Sequence, residues 1–297
     1  MIAALSPGIS SRLIMWKGSQ DFVSWLCIIS LCWGWGHIRI HNRDGVSYLQ
    51  EMLPVDCLFL DPARRDGHGG KTVAISDCEP DVTVLEPLLV DKAKKVMVKL
   101  SPMLDLSLAL NELKTVRAVH IVAVNNECKE LLLILQKESV SSEVSIHCEH
   151  IAGNGESRHY TFTLKQEKTS PCLLADEVGT YLYEPNAAIL KAGAFRSLTQ
   201  TYPVAKLHLN SHLYTSVSLV PDFPGRRFRV EAVSGFGKKE LKAFLMDMDK
   251  ANITIRNFPL SVAELRKRLK LKEGGDDYIF ATTLSGGQKV LIRGKKC

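Results

Sequence analysis

The sequence predicts an α/β fold: a doubly wound sheet followed by a small α+β module. Three observations carry this. Residues 55–61 (VDCLFLD) and 119–125 (VHIVAVN) are nearly unbroken apolar runs ending in a polar residue, the pattern of parallel strands buried on both faces. These runs alternate with helical patterns at the spacing of β-α repeats. Residues 228–293 then read β-α-β-α-β-β.

In order, strands are expected at 37–41, 55–61, 95–100, 119–125 and 143–149, and helices at 47–53, 81–94, 106–113 and 126–136. Residues 159–165 alternate polar and apolar, as an edge strand does, and 166–178 read as a linker. Residues 181–216 mix a short helix at 187–192 with strand-like runs. The final module places strands at 228–233, 252–258, 277–283 and 289–293, with helices at 238–248 and 261–269. Ser261 and Glu264 have capping-box spacing, a side-chain oxygen and a carboxylate three residues apart at a helix start.

A chain of 297 residues has room for two or three domains. With 45% apolar and 24% charged residues it has the composition of a soluble globular protein. The net charge of +6 is unevenly spread. Residues 224–297 carry 17 Lys or Arg against 8 Asp or Glu, a net of +9, and the remainder carries −3. A basic terminal module points to a polyanionic partner, most simply nucleic acid, or else to a lysine-rich solvated face. Eight cysteines are scattered with no C-x-x-C pair, so no zinc knuckle or other metal site is expected. Cys57 and Cys148 sit in apolar runs as small hydrophobes, which fits a reducing, cytoplasmic setting.

The first 36 residues differ in character. All four tryptophans, Trp16, Trp25, Trp33 and Trp35, fall there. The apolar stretch 22–35 has 14 residues, short of the roughly 20 that span a membrane, so no span is expected. No small-x-small cleavage site follows it. An export signal, a genuine but unusual element, and a frameshift or wrong start remain open, and the abrupt break in composition favours the last.

In an open α/β sheet, ligands sit beyond the carboxyl ends of the strands. The run 55–60 delivers Asp61-Pro62-Ala63-Arg64-Arg65 to that edge. Asp61 is an acceptor on a rigid strand end, and Pro62 fixes φ and turns the chain. Together they can meet an amine of a substrate base, while Arg64 and Arg65 can hold phosphate. The alternative is a turn with an ion-paired Asp. Gly67, Gly69, Gly70 and Lys71 suggest a loop without the pattern of a P-loop. Ser101-Pro102 forms a second turn at this edge, and Asn126 is expected to cap a helix.

The D-P-A-R-R run, with K-L-S-P and N-N-E-C-K-E-L-L, resembles the second half of a class I S-adenosylmethionine-dependent methyltransferase. Specifically, it resembles the bacterial family that ends in a THUMP-like domain. The likeness continues through YLYEPNAAILKAGAF at 181–195, LHLNSHLYTS at 207–216 and NITIRNFPLSVAELRKR at 252–268. It implies a partial methyltransferase domain at 37–165, a ferredoxin-like module at 180–222 and a THUMP-like domain at 223–297. Asp61 and Pro62 would then position the target atom, with Asp61 beside the cofactor as well. Asp44 would bind the adenine of S-adenosylmethionine. RNA is the implied substrate, with Arg226, Arg227, Arg229, Arg256, Arg266, Lys267 and Arg268 as a phosphate footprint.

The family pattern also requires a first strand ending in a glycine-rich turn and a second ending in an acid. Neither precedes residue 37, and Gly34 and Gly36 make no convincing match. In the strand order 3-2-1-4-5-7-6, strands 2 and 1 are therefore expected to be missing. The run 37–41 is left without a sheet neighbour, the cofactor pocket is incomplete, and apolar surface is exposed. The expectation is an N-terminally truncated or frameshifted copy with impaired methyl transfer to RNA. The alternatives are a noncatalytic RNA-binding protein and an inactive fragment. The oligomeric state stays open.

Overall fold

The computed structural model describes residues 2–6, 9–14, 39–41, 44–64, 74–137 and 143–297, and up to residue 41, and at Arg64, the backbone only. The four tryptophans, the apolar stretch 22–35, Gly34 and Gly36, Arg65 and the glycine loop 67–70 lie outside the described residues. The chain divides into two compact units, Met1–Ser157 and Arg158–Cys297.

The first unit begins with β1 (Ile2–Ser6), β2 (Ile9–Ile14) and β3 (Arg39–His41), then α1 (Gly45–Glu51) and β4 (Val55–Leu60). A small pair follows, β5 (Ala63–Arg64) and β6 (Cys78–Glu79), then α2 (Val82–Lys92), β7 (Ala93–Leu100) and α3 (Leu106–Glu112). The unit closes with β8 (Val116–Val124), β9 (Glu127–Leu135) and β10 (Ser145–Ile151). Across the sheet these run β10-β8-β9-β7-β4-β1-β2-β3. The helices start where the sequence supplies caps. The carboxylates of Asp44, Asp81 and Asp105 accept from the backbone N–H groups of Ser47, Thr83 and Leu108 at 2.8, 2.9 and 3.0 Å.

Strand alternation builds the core. Leu58, Leu60, Val96, Val98, Leu131, Leu133, Val119 and Ile121 are fully or almost fully buried on one face, while Phe59, Met97, Lys99 and His120 on the other are half-buried.

Two expectations are corrected. Residues 126–136 form strand β9, not a helix. β8 and β9 pair antiparallel, Val124 opposite Glu127, and Asn125 and Asn126 between them have φ of 51° and 63°. Two left-handed residues make the tight turn whose twist suits a hairpin, and Asn tolerates that region best after Gly. The LLLIL run that resembles a helix face is a strand buried between β7 and β8. Second, β3 is not left without a neighbour, and the sheet is not open at its centre. β1 pairs antiparallel with β4, Ile2 opposite Leu60, β2 pairs antiparallel with β1, and β3 lies parallel to β2. β1 thus satisfies the backbone edge of β4 on the side away from β7.

The second unit begins with β11 (Ser157–Thr163), α4 (Leu164–Thr169), β12 (Tyr181–Pro185), α5 (Ala187–Ala192), α6 (Leu198–Thr201), β13 (Ala205–Lys206) and β14 (Tyr214–Ser216). It continues through β15 (Gly225–Ser234), α7 (Lys238–Phe244), β16 (Asn252–Arg256), α8 (Val262–Leu269), β17 (Asp277–Thr283) and β18 (Lys289–Lys296). One sheet runs β13-β14-β12-β15-β18-β17-β16. Its central strands are buried on both faces. Ile279, Ala281 and Leu291 pack with Phe244, Leu265 and Leu269 of the helices, and Phe280, Val290 and Ile292 pack with Leu182 and Phe228 on the other side. The expected capping box is present, with Glu264 Oε2 accepting from Ser261 N–H at 2.7 Å and Ser261 Oγ from Glu264 N–H at 3.2 Å. Among the described residues, no helix is long and apolar enough to cross a membrane.

Glu184, 2% exposed, lies opposite Arg226 in the β12–β15 pairing. It accepts from Arg226 Nε at 2.8 Å and from Arg256 Nη2 at 2.8 Å. His212, at φ 53°, stacks on Phe195 with ring centroids 3.7 Å apart. Burial, with Lys206 and Arg256 adding to it, lowers the His212 pKa to about 4 from 6.5.

Two measurements follow. Asn126→Val should destabilise the protein by about 1–2 kcal/mol in urea unfolding, since a β-branched residue resists φ > 0, while Asn126→Gly should be neutral or stabilising. Equal unfolding midpoints for the two would exclude the hairpin. For His212, the unfolded chain takes a proton below pH 6.5 while the folded chain resists it down to about pH 4. Stability therefore falls as pH drops through that window. His212→Asn, which keeps the left-handed backbone and removes the titration, should flatten the slope by on the order of 1 kcal/mol after allowance for solvent screening. The check is melting temperature against pH, and an unchanged slope would refute the assignment.

Candidate functional site

The parallel pairing of β4 with β7 sends their carboxyl ends to one sheet edge. β3 and β8 end there too, through their pairings with β2 and β9. That edge receives Asp44 after β3, Asp61 after β4 and Ser101 after β7. Asp61 and Pro62 line a cleft of about 320 Å³ with Ala63, Cys78, Lys99, Ser101 and Glu130. Pro62 is buried, and the pairing of Ala63 with Glu79 closes the turn behind it.

Lys99 Nζ donates to Asp61 Oδ2 at 3.0 Å and lies 3.7 Å from Glu130 Oε2. The hydrogen bond to Asp61 raises the lysine pKa, so the ammonium persists across neutral pH. Among the described residues the cleft therefore holds two carboxylates and one ammonium, contributed by the end of β4 and by β7 and β9. Sequence reasoning misses Lys99 and Glu130. Alternation with buried Val98 and Leu100 is the signal for Lys99, and Glu130 is hidden by the helical reading of 126–136.

Asp44 stands at the same edge, but its carboxylate also caps α1, accepting from Ser47 N–H at 2.8 Å and Ser47 Oγ at 2.9 Å. Beside β4 the edge receives the amino end of β1, because β1 runs antiparallel. No strand-to-helix turn stands next to β4 there among the described residues. These residues fit the acceptor side of a methyl-transfer site. They do not fit the side that would cradle the methionine portion of S-adenosylmethionine.

In the second unit the footprint residues divide by what their charges touch. Arg226 and Arg256 are engaged with Glu184. Arg227 Nη1 donates to the Pro221 carbonyl, and Arg266 Nη1 to the Ala251 carbonyl at 3.2 Å. Lys267 and Arg268 are exposed on α8, with the Arg268 guanidinium 5.3 Å from the Phe236 ring centroid. Phe236 in turn stacks on Phe258 at 5.3 Å. Arg64 is described only as backbone in β5.

Comparison with known proteins agrees with this architecture. A ferredoxin-like domain family matches residues 181–224, and a THUMP domain-like family matches residues 225–296. No curated protein sequence matches the chain. A crystal structure of a candidate methyltransferase from Porphyromonas gingivalis W83 superposes with a TM-score of 0.85 at 33% identity, over 96% of this chain and 72% of that one. At that identity and coverage the chain belongs to the family of this candidate methyltransferase, with a ferredoxin-like and a THUMP-like domain in its second unit.

Proposed function

We propose that the chain is an RNA-directed member of the S-adenosylmethionine-dependent methyltransferases in which methyl transfer is impaired and RNA binding is retained. The observation that carries this is the sheet edge itself. Asp61 and Pro62 stand at a strand end beside a cleft, where ligands bind in open α/β sheets, and β1 runs antiparallel to β4 beside them, which supports an acceptor side without a donor cradle next to it. Asp61 would accept from an amine of a base and hold it oriented. Catalysis of this type rests on positioning. Arg64 and Arg65 would hold backbone phosphate, and Asp44 would contact the adenine of the donor.

RNA binding rests on the THUMP-like domain and its +9 charge. The division of the footprint refines it. Lys267 and Arg268 are the principal phosphate contacts, with Phe236 beside Arg268 offering a face for stacking. Arg226, Arg227, Arg256 and Arg266 contribute mainly field, because they also serve internal partners.

Calorimetry with S-adenosylmethionine should show no detectable binding. Tight binding that disappears in Asp44→Ala would overturn the impaired-donor reading. RNA binding, followed by fluorescence anisotropy with a single-stranded oligonucleotide over a salt series, should weaken steeply with salt. Lys267→Ala with Arg268→Ala should lower the log–log slope by about 1–2 without a change in melting temperature. Arg256→Ala should lower the melting temperature instead, since it strips the buried Glu184 carboxylate of one of its two partners, a loss of about 1–3 kcal/mol while Arg226 stays in place. Salt-independent RNA binding, or none, would rule out the RNA assignment.

A further inference from the structure

Lys99 is placed by the strand ladder, not by a loop. Val98 and Leu100 on either side are buried at 0% and 3%, so alternation directs Lys99 to the opposite face, where it pairs with Leu132 of β9. Glu130 precedes Leu132 by two residues and shares that face. The ammonium thus stands between Asp61 Oδ2 at 3.0 Å and Glu130 Oε2 at 3.7 Å, with each side chain about one-third to two-fifths exposed. An ion pair this accessible adds little to stability, since water screens it. Fold stability is therefore a weak reason for placing three charges beside a cleft. The unequal distances are informative: one carboxylate holds the ammonium, and the other is within a short side-chain swing of it.

We propose that Lys99 is a positioning residue with two stations and that Glu130 is the specificity-determining residue that provides the second. With the cleft empty, Lys99 holds Asp61 through Oδ2. When an acceptor brings an amino group, its N–H takes the place of the ammonium at Asp61, and Lys99 moves to Glu130. The ammonium keeps a carboxylate partner throughout, and Asp61 exchanges an ionic donor for a neutral N–H. A carbonyl at the same position on the acceptor cannot donate to Asp61, so nothing compensates the displacement of Lys99. The cleft therefore selects bases with an exocyclic amine over their oxo counterparts. With Glu130 neutralised, Lys99 stays at Asp61 and offers its own N–H groups to a carbonyl, and the preference shrinks or reverses. This inference rests on the reading of Asp61 and Pro62 as the acceptor side.

The test is equilibrium binding of two nucleotide pairs to the full chain, adenosine against inosine monophosphate and cytidine against uridine monophosphate, by ligand-observed NMR. The intact chain should favour the amino member of at least one pair by about fivefold or more, the discrimination of one good donor–acceptor contact. Glu130→Gln should erase or invert that preference. Lys99→Met should shrink the preference, since no ammonium is then displaced from Asp61, and Lys99→Arg should restore it, since the guanidinium can also reach both carboxylates. No amino preference in the intact chain would sink the acceptor-site reading itself. A preference that survives unchanged in both Glu130→Gln and Lys99→Met would leave that reading standing and overturn the two-station arrangement.

Discussion

β4 must be paired along both edges, and this constraint organises the first unit. A buried backbone group left without a partner costs about 1–3 kcal/mol, so a bare edge along a central strand would be expensive several times over. β7 takes one edge in parallel, and β1 takes the other in antiparallel. Through β2, this second pairing carries β3 into line with β4 and brings Asp44 to the edge that bears Asp61. A strand that enters an edge with its amino end delivers no turn and helix there, so next to β4 this edge offers Asp61, Pro62 and the cleft that they line.

In the second unit the corresponding constraint is electrostatic. Glu184 is a carboxylate at 2% exposure, and burial is tolerable only because two guanidiniums meet it. One arrives from the neighbouring strand by register, the other from β16. The cost falls on the basic surface. Charge counted along the sequence as available to a polyanion is partly engaged inside the domain, so the net +9 overstates what a polyanion could reach. Position on a helix face separates the reachable charges from the spent ones.

The features legible in the sequence are those governed by local rules. The cap at Ser261, the β-α-β-α-β-β order after residue 224, and the strand that delivers Asp61 all follow from periodicity and side-chain chemistry within a few residues. The hairpin at Asn125 and Asn126 was hidden because KELLLILQ satisfies a helix pattern, and only the two left-handed asparagines decide otherwise. The pairing of β1 with β4 was hidden for a different reason. Its register joins residues more than fifty apart, beyond the reach of any local window. Lys99 and Glu130 became visible only once three strands stood side by side.

The two units differ in how their functions depend on structure. Recognition at the Asp61 cleft depends on geometry: three strands fix the charged groups within a few ångströms of one another, and a shift of that size alters which partner the ammonium holds. Binding of a polyanion by the second unit depends on summed charge, which falls off gently with distance and tolerates exchange of one lysine for another. Each unit has its own apolar core, and the exposed basic groups of the second sit on several separate elements, so a polyanion would lose its hold there only through the removal of many separate charges.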